Sequence, residues 1–404
     1  MKTSSSAIER LGASQRGLVD RLPIPRMTKV FELNTGDPAF STPEYVIEAA
    51  HRAMREGYTH YPPMQGDPEL REAIAAYQAR ISGVSVSPAE VLVTAGGTGA
   101  ISAAMMALLD EGDEVITLDP CYSLYADLAR VVGARVVSVP LTSGFSVDLD
   151  AVEDAATSRT RMLILNFPSN PTGQLLQPEE LEGLAAIAVK HDLIVISDEV
   201  YDQLVFQGKH LSAMGHPALT DRTVLINSFS KTYAMTGWRL GWAVAKQGLI
   251  QTILTMCRTV LGSPNYIAQR AGLAALANQQ EDQNWRRWML AQYQAQRQAM
   301  WEGLQVSGVR VYDLKAAFYA WVRYEAPISS VDMMKYLYER GLAVRPGIEF
   351  GSMGERHLRL TFAPSTTVIT EGLAIFRSAM SELQISSEVL NENSRLCVSP
   401  GDTA

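Results

Sequence analysis

Ser228-Phe229-Ser230-Lys231-Thr232 sets a lysine among small hydroxylated residues, with Arg239 eight positions after it. A lysine amine can form a Schiff base with a carbonyl cofactor, and Ser228, Ser230 and Arg239 suit that cofactor's phosphate. A lone lysine is ordinarily a solvated surface charge. Other stretches supply what a cofactor would need. Ala95-Gly96-Gly97-Thr98-Gly99 leads into an apolar helix. Bare amides at a helix N-terminus, approachable where glycines stand, form an anion site, which makes Gly96, Gly97 and Thr98 candidate phosphate ligands. Asp198-Glu199 ends an apolar run, where an acid can cap a helix or serve the chemistry. The guanidinium fork of Arg359 suits a carboxylate.

These residues need a scaffold, and the apolar runs describe one. Glu90–Thr94, Glu114–Leu118, Ala134–Pro140, Arg161–Leu165, Leu193–Ser197 and Thr223–Ile226 are nearly continuous and rich in Val, Ile and Leu. Strands buried on both faces read that way. Helix-length spacers between them predict an α/β fold, a three-layer arrangement around a mostly parallel sheet whose ligands gather at strand C-terminal ends. Each chemical motif falls at such an end. Gln251–Ala277 reads as helix interrupted by Gly262-Ser263-Pro264-Asn265, and a long polar helix runs from about Asn284 to Gln305. The predicted division is an irregular N-terminal arm over 1–33, where Pro23 and Pro25 block continuous helix, a large cofactor-binding domain over 34–283, a smaller α+β domain over 284–385, and a disordered polar tail over 386–404.

Taken together, the motifs resemble those of the pyridoxal-phosphate-dependent class I/II aminotransferases, the aspartate aminotransferase-like family of fold type I, over roughly residues 34 to 380. The matching runs are Asn34-Thr35-Gly36-Asp37-Pro38, Tyr61 through Gly66 to Glu69-Leu70-Arg71, Asn166-Phe167-Pro168-Ser169-Asn170-Pro171-Thr172-Gly173, Asp198-Glu199-Val200-Tyr201, the Lys231 segment, and Leu358-Arg359-Leu360. The resemblance implies pyridoxal 5'-phosphate on Lys231 and an amino group moved from an L-amino acid to a 2-oxo acid. It also implies that Tyr122 stacks on the cofactor ring, and that Asn170 and Tyr201 hydrogen-bond its phenolic oxygen. Asp198 then keeps the pyridine nitrogen protonated, since a buried carboxylate favours that charge. Arg359 takes the substrate carboxylate, helped by the Gly36 amide. Tyr61 reaches the phosphate of a neighbouring subunit in a homodimer with shared sites, and Leu240–Ala245 runs antiparallel at the sheet's edge. Glu199 reads as structural, and Arg345 and Arg356 as surface charges. One departure stands in Lys315-Ala316-Ala317-Phe318-Tyr319, where the family commonly has glycine at the place of Ala316. Its methyl is expected to narrow the active-site mouth.

Several classes are argued against. A formal net charge of −8 over 404 residues, with no long basic run, opposes nucleic-acid and anionic-membrane partners. No stretch approaches a membrane span. Three widely spaced cysteines without a C-x-x-C pair favour a reduced, cytoplasmic protein and give no metal signature. Gly97-Thr98-Gly99 with Asp119 downstream partly matches a dinucleotide fingerprint, but Ser102 stands at the third glycine position. A ligand sensor tethered to a DNA-binding domain is opposed by the shortness of the arm before Asn34. Elimination or replacement at Cβ or Cγ uses the same residues as amino transfer, so these motifs leave that alternative open, along with the identity of the amino acid.

Overall fold

The computed structural model describes residues 3–12, 14, 16–23 and 29–396, without the side chains of 385–396. Strand β1 (Phe31–Glu32) precedes seven strands of one sheet: β2 (Val91–Thr94), β3 (Glu114–Asp119), β4 (Arg135–Pro140), β5 (Thr160–Asn166), β6 (Ile194–Asp198), β7 (Thr223–Ser228) and β8 (Gly241–Val244). Their order is β2-β8-β7-β6-β5-β3-β4. All but β8 run parallel. Every residue of β2, β3, β7 and β8 is buried, as strands covered on both faces must be.

Strand β8 corrects one expectation. It lies between β2 and β7, antiparallel to both, and β2 takes the edge. The consequence for the site is direct. Because β8 runs backwards, its first residue, Gly241, meets the last residues of two neighbours, Thr94 and Ser228. The turn before Gly241, which carries Arg239, is thereby delivered to the end of the sheet where ligands gather.

A second, four-stranded sheet has the order β12-β13-β10-β9, from β9 (Val309–Val311), β10 (Tyr319–Tyr324), β12 (Arg345–Pro346) and β13 (His357–Thr361). Strand β11 (Leu342–Ala343) pairs in parallel with β1. The arm is therefore not wholly irregular: it contains a helix, Ser6–Leu11, and adds a strand beside the second sheet. Two further boundaries differ from expectation. The helix Gln279–Gly303 crosses the predicted boundary at 283/284, and the last helix, Thr366–Leu396, runs past 385 into the stretch expected to be a tail. Residues 397–404 lie outside the described residues. The interrupted helical stretch resolves into Gln247–Val260 and Tyr266–Ala277, with Asn265 capping the second through its side chain. Among the described residues no helix is long and apolar enough to cross a membrane.

Candidate active site

Lys231 sits on a single helical turn, Phe229–Thr232, that follows β7 directly. Phe229 and Tyr233, four apart and so on one face, are both buried; Phe229 meets Trp242 with ring centroids 4.9 Å apart, and the Tyr233 hydroxyl donates to Asp282 Oδ1 at 2.7 Å. That packing turns Lys231, two residues from Phe229, toward the opposite side and into a cleft of about 660 Å³. Its Nζ donates to the Gly36 carbonyl at 2.7 Å and lies 5.6 Å from the Phe318 ring centroid. Burial, assisted by Arg359 and Arg239, lowers its pKa to about 8 although Asp37 and Asp198 oppose the shift.

The end of the cleft beside the helix Gly96–Leu108 is built by the register of the sheet. The helix Gly96–Leu108 begins after β2 with no side chain capping it, so its first amides keep their hydrogen-bonding capacity. Ser228 and Ser230 line the cleft beside it, their hydroxyls 2.8 Å apart. Gly97 and the exposed Thr98 line it too. Arg239 adopts a left-handed backbone, φ 55°, and donates to the Thr236 carbonyl at 2.8 Å. Its Nη2 comes so near Gly96 that a Cβ there would meet it at 2.7 Å. Gly241 is pressed against backbone: a Cβ on it would lie 2.6 Å from the Gly97 nitrogen and 2.6 Å from the Gly96 carbonyl carbon.

Asp198 ends β6 and is buried. Its register partner on β5 is Asn166, whose Nδ2 donates to the Asp198 carbonyl at 3.2 Å. The carboxylate accepts from the Tyr125 hydroxyl at 2.7 Å, and burial raises its pKa to about 6 against that hydrogen bond. Asn170 donates its backbone N–H to Asn166 Oδ1 at 3.0 Å, and its own Oδ1 accepts from Arg359 Nη1 at 2.9 Å. Arg359 is buried, donates from Nη2 to the Asn34 carbonyl at 2.6 Å, and leaves Nε without a partner. Its guanidinium lies 4.2 Å from the Tyr319 centroid and 4.8 Å from that of Phe350. Tyr201 and Tyr319 share a hydrogen bond of 2.9 Å between hydroxyls. Tyr122 stands in the wall, its ring edge-on to Tyr125 at 5.7 Å.

Thirteen of the fourteen residues singled out in the sequence line this region or, like Gly96, abut one that does. The fourteenth, Tyr61, is 95% exposed and does not line the cleft of its own chain. Gly36 is present, and its carbonyl is the atom meeting Lys231; a Cβ would fall 2.2 Å from the Tyr319 hydroxyl. Glu199 is fully buried and accepts from Ser197, Ser212 and His210, which is a structural role. Arg356 is exposed.

Arg345 is a correction. It is no surface charge: its side chain is 13% exposed, lines the cleft and pairs with Asp20 and Glu349. It directly opposes Arg359 across β12 and β13, and one register position puts both side chains on the same face. Ala316 is another correction. Its methyl does not narrow the mouth, because the residue is fully buried, bridges to Val205 and donates its N–H to the Gly173 carbonyl. Asp119, the acid of the partial dinucleotide fingerprint, is taken up by the backbone N–H and hydroxyl of Ser352, both at 2.9 Å. Sequence reasoning missed Tyr125, Asn166, Tyr319 and Asn34. Three of them stand in runs already quoted for their neighbours, and Tyr125 follows Tyr122 by three residues at the opening of the helix Leu124–Val132. Only strand register and helical phase reveal that they face the cleft.

Comparison with known proteins agrees with this geometry. The family model described as "Aminotransferase class I and II" matches residues 28–375. The chain is 39% identical over 348 residues to an aspartate/prephenate aminotransferase of Thermus thermophilus, covering 85% of this chain and 89% of that one. Among solved structures, a tetra mutant of Thermus thermophilus aspartate aminotransferase superposes with a TM-score of 0.85 at 36% identity, covering 94% of this chain and 100% of the other. An aromatic aminotransferase from Pyrococcus horikoshii superposes with a TM-score of 0.85 at 33% identity, covering 91% and 99%.

Proposed function

The chain belongs to the class I and II aminotransferase family and is an aminotransferase of the α/β fold type I, and from that premise we propose that Lys231 holds pyridoxal 5'-phosphate and that the cleft transfers an amino group between an L-amino acid and a 2-oxo acid. One observation carries this reading. Lys231 and Arg359, two cations turned into one cleft, meet carbonyl and amide oxygens there and no carboxylate among the described residues. A buried cation without a counter-charge is costly. A cofactor that consumes the lysine charge and a substrate carboxylate that answers Arg359 would relieve both.

The residues present fit the cofactor. The uncapped helix N-terminus with Gly96, Gly97 and Thr98, together with Ser228, Ser230 and Arg239, would bind its phosphate. Asp198, oriented by Tyr125, would hold a proton on the pyridine nitrogen. Asn170 Nδ2 and the Tyr201 hydroxyl would orient the phenolic oxygen, since Asn170 Oδ1 already accepts from Arg359. Tyr122 would cover one face of the ring. Bound there, pyridoxal phosphate supplies a conjugated, electron-withdrawing ring that stabilises negative charge at the substrate Cα. Arg359 binds the substrate α-carboxylate through its two-pronged guanidinium and so fixes Cα near Lys231. With a pKa near 8, the Lys231 amine can accept the Cα proton close to neutral pH.

The same reading gives a two-fold dimer in which the exposed Tyr61 completes a neighbour's phosphate site. It gives a large unit carrying the cofactor and a smaller unit carrying Arg359, joined through the helix Gln279–Gly303. A cytoplasmic location is supported by the free thiols of Cys121 and Cys257.

The test is covalent trapping with kinetics. Borohydride reduction of the holoenzyme and peptide mapping should find pyridoxyl on Lys231 and on no other lysine. An active enzyme with Lys231 unmodified overturns the reading. Arg359→Leu should weaken donor binding by ~2–5 kcal/mol, the range for truncating one partner of a buried charge pair, while pyridoxal phosphate affinity is retained. Unchanged KM for aspartate and for aromatic donors would remove Arg359 from the carboxylate site.

A further inference from the structure

The N-terminal arm is anchored on both sides of the cleft. On the side of the seven-stranded sheet, Arg10 donates to the Arg130 carbonyl at 2.6 Å and the Val131 carbonyl at 2.8 Å, and the Ser14 hydroxyl donates to Asp127 Oδ2 at 2.8 Å. On the side of the four-stranded sheet, the Gly17 N–H donates to Glu349 Oε1 at 3.1 Å. Asp20 there receives both prongs of Arg345, Nη1 at 3.0 Å and Nη2 at 3.3 Å. Between these anchors Arg16 crosses the mouth, its Nη2 3.2 Å from the Tyr122 hydroxyl.

Charge explains why the anchor is where it is. Arg345 and Arg359 are register partners on one face, and like charges directly opposite each other repel. Both reach the same atom, the Asn34 carbonyl, from Arg345 Nε at 3.4 Å and Arg359 Nη2 at 2.6 Å. Glu349, also within 3.5 Å of Arg345, and Asp20 together answer the Arg345 charge. Arg359 is then the cation on that face still lacking a carboxylate, so an incoming carboxylate is directed to it and away from its neighbour. Half of that neutralisation comes from the arm.

We propose that Arg345 is a positioning residue for the amino donor: by pairing with Asp20 and Glu349 it fastens the N-terminal arm across the cleft beside Arg359, and so sets which donor side chains the site accepts. The inference rests on Arg359 as the carboxylate site. Arg345 touches no reacting atom. It acts through the arm, which supplies the wall facing the substrate side chain, and through the counter-charge that keeps the two guanidiniums distinct.

Two variants of the holoenzyme test it, Arg345→Gln and Asp20→Asn. The Asp20 carboxylate is 56% exposed, so its replacement does not endanger the fold. Each variant should expose the strap, so that trypsin cuts after Arg16 about tenfold faster or more, since cleavage there follows local opening. Arg345→Gln leaves the arm's own sequence unaltered, which makes its cleavage rate a clean report of docking. Each should raise donor KM with a smaller change in kcat, and should shift the ratio of kcat/KM between a short donor, alanine, and a long one, phenylalanine, by about tenfold or more, because displaced positioning groups cost up to ~10². Asp20→Glu should restore most of both effects. The double variant should be no worse than the worse single one, as expected for one shared interaction. An unchanged cleavage rate in both variants, an unchanged donor ratio, or additive losses in the double variant would each overturn the proposal. Arg359→Leu without effect on KM would instead remove the reading beneath it, while the cleavage rates would still report on the Arg345–Asp20 pair.

Discussion

At the scale of single residues, the site is a set of ionisable groups held away from their ordinary protonation. Burial raises the Asp198 pKa from 3.8 to about 6 in the unliganded protein. A carboxyl whose folded pKa exceeds its unfolded value destabilises the fold above the folded pKa, and that penalty is relieved as pH falls toward the unfolded pKa. Asp198→Asn removes the titration and keeps an acceptor for the Tyr125 hydroxyl. The unliganded variant should therefore be more stable than the parent above pH 6, by up to about 3 kcal/mol for a shift of about two units, and the difference should shrink toward zero near pH 4. Urea melts across that range measure it. A pH-independent difference would mean that the carboxylate is not held neutral by burial. In the holoenzyme the same substitution should be harmful, because an amide cannot stabilise a charged ring nitrogen. Lys231 is displaced in the other direction, to about 8, so its neutral amine is available at moderate pH. The rate at which the empty protein captures pyridoxal phosphate should accordingly rise with pH through about 8, where a solvated lysine would place that rise near 10.4; absorbance in a stopped-flow mixer reads it.

At the scale of elements, one reversed strand organises the end of the cleft proposed to take the phosphate. Were β8 parallel to its neighbours, Gly241 would begin at the far end of the sheet and Arg239 with it. Antiparallel, it meets Thr94 and Ser228 in register and presses against the first turn of the helix Gly96–Leu108. That contact is closer than any Cβ allows, so Gly241→Ala must push the strand and the helix N-terminus apart. We expect affinity for pyridoxal phosphate to fall by about tenfold or more, since amides at a helix N-terminus bind anions only within hydrogen-bonding reach. Affinity for pyridoxal, which has no phosphate, should fall much less. Titration of the empty variant with both compounds checks this, and equal losses for the two would place the phosphate elsewhere.

At the scale of the whole molecule, one residue is left over. Tyr61 is 95% exposed, an unusual position for an aromatic ring serving only its own chain, and it does not line the cleft. In a two-fold dimer with shared sites it would act on the neighbour. Lys231→Ala and Tyr61→Ala chains, each nearly inactive, should regain activity when refolded together. Half of randomly paired dimers are mixed, and each mixed dimer has one site with both lesions and one with neither, so about a quarter of all sites become intact. If Tyr61 served its own chain, every site of the mixed dimer would keep a lesion and nothing would return. Sedimentation of the parent and of both single variants checks that each forms the dimer this exchange requires.

How much of this was legible in the chain follows from where each determinant resides. Contiguous motifs brought Lys231, Asp198, Asn170, Arg239 and Arg359 forward as candidates without coordinates, and all five line one cleft. Asp198, Asn170 and Lys231 end or follow parallel strands, whose C-terminal ends share one edge whatever their order; Arg239 and Arg359 reach the cleft through the reversed β8 and the second sheet. Strand order was not legible: apolar runs of similar composition do not record which neighbour each pairs with, so β8 was assigned to the edge and lies second. Single side chains outside the motifs were not legible either. Arg345 read as a surface charge because its neutralising partner, Asp20, lies 325 positions away, and Ala316 read as a mouth residue because nothing local shows that it is buried against Gly173. Local periodicity and short spacing carried the alternation of strand and helix and the residue types set at the strand ends. Packing settled which charges neutralise each other, which cations remain unanswered, and which side chains meet across the cleft. Those depend on distances between segments that the covalent chain leaves free until the core has packed.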